Sequence, residues 1–329
     1  MNARIIYMDA GFWKELRLRA DESITGLKLL IKVYEAISDA NLRTDIEDVD
    51  WDTDPYLMLL WKKYLSNQSD MELYEKLALD KPEDNAEDLS AIYLTKLDVQ
   101  TCRNLGTNYG VVAVNIQDLT RKDFLLKGDG FSLEKDITCY EDGYMQFRTK
   151  IHYPCNSMIL IDPYMFSKKE NIENSLYSLL EAILPTRKLK PRFYISIVSM
   201  IGEKNSDYEK GDEVYNRIQS MISSVRKGLN FELTIYAIGP AEEFHRRMIL
   251  TNNVFIEAHD GFDVFREDRT SNKNAKFSIV LPRFIGNSRL DMSEYLRWIG
   301  IVKGRSDGQS KTQFWGTRKN RLFELVDSN

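Results

Sequence analysis

Cysteine is scarce in this chain: 329 residues contain three, Cys102, Cys139 and Cys155. They lie far apart and form no CxxC pair, which excludes a disulfide framework and a thiolate zinc cage. Reduced thiols in a cytoplasmic protein are the expectation. Long apolar runs are missing as well. None approaches the roughly 20 residues that span a bilayer, and MNARIIYMDAG lacks the apolar core of a secretory signal. No membrane partner is therefore expected. Histidine is as rare as cysteine, with His152, His245 and His259 the complete set, so imidazole chemistry is confined to three places. A general excess of positive charge is absent: 45 Lys and Arg against 50 Asp and Glu leave a net charge of −5, which argues against a uniformly basic nucleic-acid coat. Glycine-lysine phosphate loops, GxSxG elbows and HExxH helices do not occur.

What is present is a chain that can bury real cores. Apolar residues make up 43% and aromatics 11%, and the length favours two domains over one. RIIYMDAGFW contains a strand. SITGLKLLIKVYEAISDAN has helical spacing, with Leu27, Leu30, Ile31, Tyr34 and Ile37 on the face expected to be buried. DPYLMLLWKKYLS and SDMELYEKLAL predict further helices. SAIYLTKL, DVQTCRNLGTNYG and VVAVN form a compact β-α-β unit whose strands should pair in parallel. KGDGFSLEKD interrupts the apolar pattern and marks a boundary. The expected division is an α+β domain over 1–127 and an α/β domain over 137–329. In the second, MQFRTKIHY, SMILIDPYMF, RFYISIVSM, FELTIYAIG, VFIEAHDGFDVF and KFSIVLPRF predict strands. NIENSLYSLLEAIL and GDEVYNRIQSMISSVRKGLN predict helices on the faces of their sheet.

Charge is distributed unevenly. Acids dominate from Asp39 to Asp98, around IEDVDWDTD, whereas Arg297, Lys303, Arg305, Lys311, Arg318, Lys319 and Arg321 face only Asp307 up to Phe323. The basic tail, with Phe314 and Trp315 among its charges, matches the aromatic and cationic mixture that holds single strands; a terminal strand packing its aromatics inward is the alternative. Asp9, Glu47, Asp48, Asp50 and Asp98 loosely resemble the strand-end acids of PIN-domain nucleases, which hold a metal. Helix caps and solvated charges account for most of them, and neither a metal nor a cofactor is expected.

Ligands of α/β sheets bind at the carboxyl ends of central strands. Asp162, Pro163 and Tyr164 end one such strand, and FHRRMILTNN follows another. The spacing His245-x-Arg247-x4-Asn252, with IDPY before it and HDGFDVF after it, resembles a degenerate form of the phospholipase D superfamily motif. The resemblance covers residues 153–284. It implies a mixed sheet flanked by helices, with His245 as nucleophile or acid, Arg247 as the phosphoryl-binding cation and Asn252 in place of the aspartate that orients the imidazole. Arg247 replaces lysine and remains a bidentate phosphate donor; Asn252 cannot support an imidazolium electrostatically.

Arg246, His259, Asp162, Tyr164, Lys311, Trp315, Arg318 and Lys319 complete the expected phosphate and nucleic-acid contacts. The resemblance implies a phosphate-binding component acting on DNA or RNA, with little or no turnover, in a bacterial setting such as antiphage defence. Other protein subunits and a homodimer are further expected partners. Two alternatives stand beside this reading: an active nuclease or phosphodiesterase assembled across a dimer, and a scaffold within a multi-protein complex.

Overall fold

The computed structural model describes residues 5–38, 41–46, 53–61, 89–121, 131–133, 144, 154–167, 171–201, 211–238, 246–258, 261–262, 277–280, 289–307 and 313–326. They build two sheets. The first carries strands β1 (Ile5–Met8), β2 (Asn41–Thr44), β3 (Ile92–Leu94) and β4 (Val112–Val114) in the order β2-β1-β3-β4, all parallel. Parallel pairing requires crossovers, and helices lie in them: α1 (Ala10–Glu22), α2 (Ile24–Ser38), α3 (Pro55–Trp61) and α4 (Val99–Tyr109), with α5 (Ile116–Arg121) following β4. Ile6, Met8, Ile92 and Leu94 pack with Phe12, Leu16 and Leu30 on one face. Ile5, Tyr7 and Tyr93 pack with Leu105 and Tyr109 on the other. The first unit is thus α/β, where α+β was expected, because its strands alternate with helices that cover both faces.

Local chemistry sets the ends of these helices. The Asp9 carboxylate accepts the Phe12 N–H at 2.6 Å and opens α1. Asp98 accepts from the N–H groups of Gln100 and Thr101 and opens α4; Gly110, at φ 70°, closes it. A side chain at Gly110 would also place its Cβ 2.4 Å from the Cys155 carbonyl oxygen. The buried face of α2 differs from expectation. Leu30, Val33 and Ile37 are buried, whereas Leu27 and Ile31 are 38% and 41% exposed. The cause is Gly26, whose missing Cβ would lie 1.9 Å from the Arg19 carbonyl oxygen. That close approach turns Gly26, Leu30, Val33 and Ile37 inward.

The second sheet has eight strands: β5 (Phe131–Leu133), β6 (Ser157–Ile161), β7 (Phe193–Met200), β8 (Phe231–Ile238), β9 (Arg247–Thr251), β10 (Phe255–Ala258), β11 (Phe277–Val280) and β12 (Phe314–Gly316), ordered β12-β8-β7-β6-β9-β10-β11-β5. β6, β7 and β8 run parallel; β9, β10, β11 and β5 continue the sheet antiparallel, and β12 caps the other edge. This mixed sheet is flanked by helices. Leu179 and Leu180 of α6 (Tyr177–Ile183) and Ile218 and Ile222 of α7 (Gly211–Val225) cover one face. Tyr295, Trp298 and Ile299 of α8 (Arg289–Ser306) cover the other. β5 lies within KGDGFSLEKD, between the two expected domains, and belongs to this second sheet. The expected strand MQFRTKIHY and helix SDMELYEKLAL fall outside the described residues. Among the described residues, no helix is long and apolar enough to cross a membrane.

Buried polar groups tie the two units. Asn156 Nδ2 donates to the carbonyls of Leu89 and Tyr109 at 2.8 and 3.0 Å. Asn252 Nδ2 donates to Ser90 Oγ at 3.0 Å, and the Lys190 N–H to the Asn108 carbonyl at 2.7 Å. Beside this junction lies a cleft of about 610 Å³, bordered by Arg103, Thr107, Val112, Pro154 and Arg187.

Candidate functional site

β6 is buried along its whole length and delivers Asp162 to the carboxyl edge of the parallel strands. Only 1% of Asp162 is exposed. Its carboxylate is nonetheless well partnered, as burial of a charge demands. Oδ1 accepts the Tyr164 N–H at 2.9 Å in an Asx turn. Oδ2 accepts the Phe262 N–H at 3.0 Å. Arg247, the first residue of β9, brings Nε to 3.9 Å from Oδ1. The IDPY turn, Arg247 at the start of β9 and Phe262 therefore converge on one carboxylate.

Arg247 also lies over the Tyr164 ring, with its Cζ 5.2 Å from the centroid. The Tyr164 backbone is fixed on both sides: its N–H is held by Asp162, and its carbonyl accepts from the Ser167 N–H and Asn171 Nδ2. The residue as a whole is 39% exposed. Gly261 takes a φ of 101° next to Phe262, and the Phe262 carbonyl accepts from the Tyr144 hydroxyl at 2.6 Å. The rim thus presents an aromatic face and a guanidinium on a rigid support.

Other expected contacts lie elsewhere. Arg246 precedes β9 and points to the other side, where its Nη1 meets Glu294 Oε1 at 2.7 Å and its Nε lies 3.8 Å from Glu257. Asn252 sits past the far end of β9, roughly 16 Å along the strand from Arg247 at ~3.3 Å per residue. There its Oδ1 accepts the N–H groups of Asn156 and Ser157, both at 2.9 Å. The asparagine joins strands and units; it does not reach the Asp162 rim.

The tail also leads away. β12 is separated from β9 by β8, β7 and β6, roughly 19 Å at ~4.8 Å per strand. It runs toward the amino end of β8, where Thr317 Oγ1 donates to Glu232. Trp315 packs on Gly211, where a Cβ would fall 1.9 Å from the indole. Arg318 adopts a left-handed φ of 61°, lies over Phe314 at 3.6 Å and donates to the Ser306 carbonyl. Lys319 is exposed at this opposite edge. His245, His259, His152 and Lys311 lie outside the described residues.

The strand-end acids of the first unit serve its backbone. Asp9 accepts the Phe12 and Lys96 N–H groups, and Asp98 caps α4, with Thr101 Oγ1 and the capped N–H groups holding its carboxyl below the usual range. Glu47, Asp48 and Asp50 fall outside the described residues. Among those described, no group of three or more His, Cys, Asp or Glu is placed to hold a metal ion.

Sequence reasoning missed the Phe262 N–H, Ser90 and Asn156. The first is a backbone group, invisible in residue identity; the others are small polar residues whose partners sit far along the chain. No protein-family model matches the chain, and no curated protein matches it.

Proposed function

We propose that the rim formed by Asp162, Tyr164, Arg247 and Phe262 binds a phosphate of DNA or RNA, in a phospholipase D-like unit with little or no turnover. One observation carries the reading: a single buried carboxylate joins the three segments on which the resemblance rests. Arg247 supplies a planar fork suited to phosphate oxygens. Asp162 stands on its Nε side and Tyr164 beneath it, so the guanidinium is oriented before a ligand arrives. Hydrolysis also requires an oriented imidazole. Asn252 stands in place of the expected aspartate and is committed to backbone N–H groups at the opposite edge, which favours binding over cleavage. The bacterial defence setting is part of the proposal on the resemblance alone.

The test is fluorescence anisotropy with labelled DNA and RNA, single- and double-stranded, across a salt series and with a chelator present. Arg247→Ala is expected to weaken binding about tenfold and to reduce the salt slope by about 1. Absence of binding, or binding indifferent to Arg247→Ala, would overturn the proposal. Cleavage that survives the chelator and disappears in His245→Ala would overturn the low-turnover part.

A further inference from the structure

The edge of β4 opens into the cleft of about 610 Å³ at the junction of the two units. β4 ends its sheet and pairs with β3 alone. Its consecutive residues Val112, Ala113 and Val114 all border the cleft. Successive side chains of a strand point to opposite faces, so it is the strand's edge, and not one face, that looks into the space. The Val114 carbonyl accepts the Thr95 N–H at 3.0 Å, which turns the N–H and C=O groups of Val112 and Val114 toward β3. Those of Ala113 then point the other way, into the cleft, and no described residue takes them. A half-buried backbone donor and acceptor call for partners. The edge of a nucleobase carries a donor beside an acceptor in one plane and can satisfy both at once.

Charge and polarity specify the rest of the ligand. Three charged side chains border the cleft among the described residues. Arg103, on α4 of the first unit, and Arg187, of the second, are exposed, whereas Asp118 is 4% exposed. An entering molecule therefore meets a guanidinium from each unit. One bidentate fork saturates a carboxylate, but a phosphate has oxygens for two. Leu184 and Val254, both 1% exposed, add an apolar part to the lining, against which a base can leave water. The volume lies within the range of small-ligand sites, which favour junctions between folded units.

We infer that this cleft binds a nucleoside monophosphate, with the base on the Ala113 N–H and C=O and the phosphate between Arg103 and Arg187. Thr251, which ends β9, also borders the cleft. It lies four residues beyond Arg247, roughly 13 Å along the strand at ~3.3 Å per residue. The site is thus separate from the Asp162 rim, and the inference does not rest on the nucleic-acid reading.

Isothermal titration calorimetry with AMP, GMP and inorganic phosphate decides the matter. AMP or GMP should bind the full chain at one equivalent, and inorganic phosphate at least about tenfold more weakly. Arg103→Ala and Arg187→Ala, both at exposed positions, should each weaken the nucleotide about tenfold. Ala113→Pro removes an N–H that the strand ladder does not use and should weaken it about as much, in protein whose circular dichroism matches wild type. Arg247→Ala should leave nucleotide binding within about twofold, because that residue lies at the other end of β9. Absence of binding by both nucleotides, or binding indifferent to both cleft arginines, overturns the inference. So does binding that is lost in Arg247→Ala and kept in the cleft variants, which would move the nucleotide to the rim. Inorganic phosphate binding as tightly as AMP and GMP overturns the assignment of a base to Ala113.

Discussion

Asp162 Oδ2 accepts the backbone N–H of Phe262 at 3.0 Å, across 100 residues of chain. The same carboxylate holds the Tyr164 N–H and faces Arg247, so it acts as the keystone of the rim. Asp162→Ala would leave two N–H groups and a guanidinium without their acceptor. The expected loss is about 3 kcal/mol of stability, read by urea unfolding with an unchanged m-value. Asp162→Asn, which keeps the shape, should lose about half as much.

In the proposed nucleic-acid contact, Tyr164 is expected to separate single strands from duplexes. Base stacking on an exposed ring contributes about 1–3 kcal/mol, and a paired base cannot make that contact without leaving its stack. Tyr164→Ala should therefore weaken single-strand binding about tenfold and duplex binding less than twofold in the anisotropy assay. Tyr164→Phe should bind like wild type. Equal losses for both ligands would remove the ring from the proposed contact.

Asn252 is expected to matter for stability and not for phosphate binding. Asn252→Ala strands the buried N–H groups of Asn156 and Ser157 and removes the bond to Ser90. The cost should be about 2–3 kcal/mol. Ser90→Ala should cost about 1 kcal/mol, and the two should be non-additive because they share one bond. The folded Asn252→Ala protein should hold nucleic acid within twofold of wild type. A larger drop would mean that the opposite edge also contributes to binding.

Alkaline pH should act on Cys155. Burial pushes its thiol up to about 12, against roughly 8.5 in an unfolded chain. The folded state thus keeps a proton that the unfolded state releases. The resulting stability is complete below about pH 8.5 and is lost as pH rises toward 12, by up to about 1.4 kcal/mol per pH unit. Unfolding of Cys155→Val should show a shallower decline over this window than wild type. Peptide mapping after alkylation at pH 8 should find Cys102 and Cys155, both free and buried, unmodified in the native protein. Rapid native alkylation at Cys155 would contradict the burial.

The amino-acid sequence by itself determined the elements that depend on neighbours a few positions apart. Asp98 and Gly110 bound α4 because cap chemistry is local, and SMILI and FYISIVSM are legible as buried strands because they are continuously apolar. The placement of Asp162 at a strand end was legible for the same reason. Tertiary structure alone decided which sides and edges these elements present. Gly26 turned α2 so that Leu27 and Ile31 face water. Glu294, on a distant helix, took Arg246 away from Arg247. The register of β9 on β6 carried Asn252 to the edge opposite Asp162. Periodicity states that a face is buried, but packing chooses the face, and a charge finds its partner through strand pairing between segments far apart in the chain.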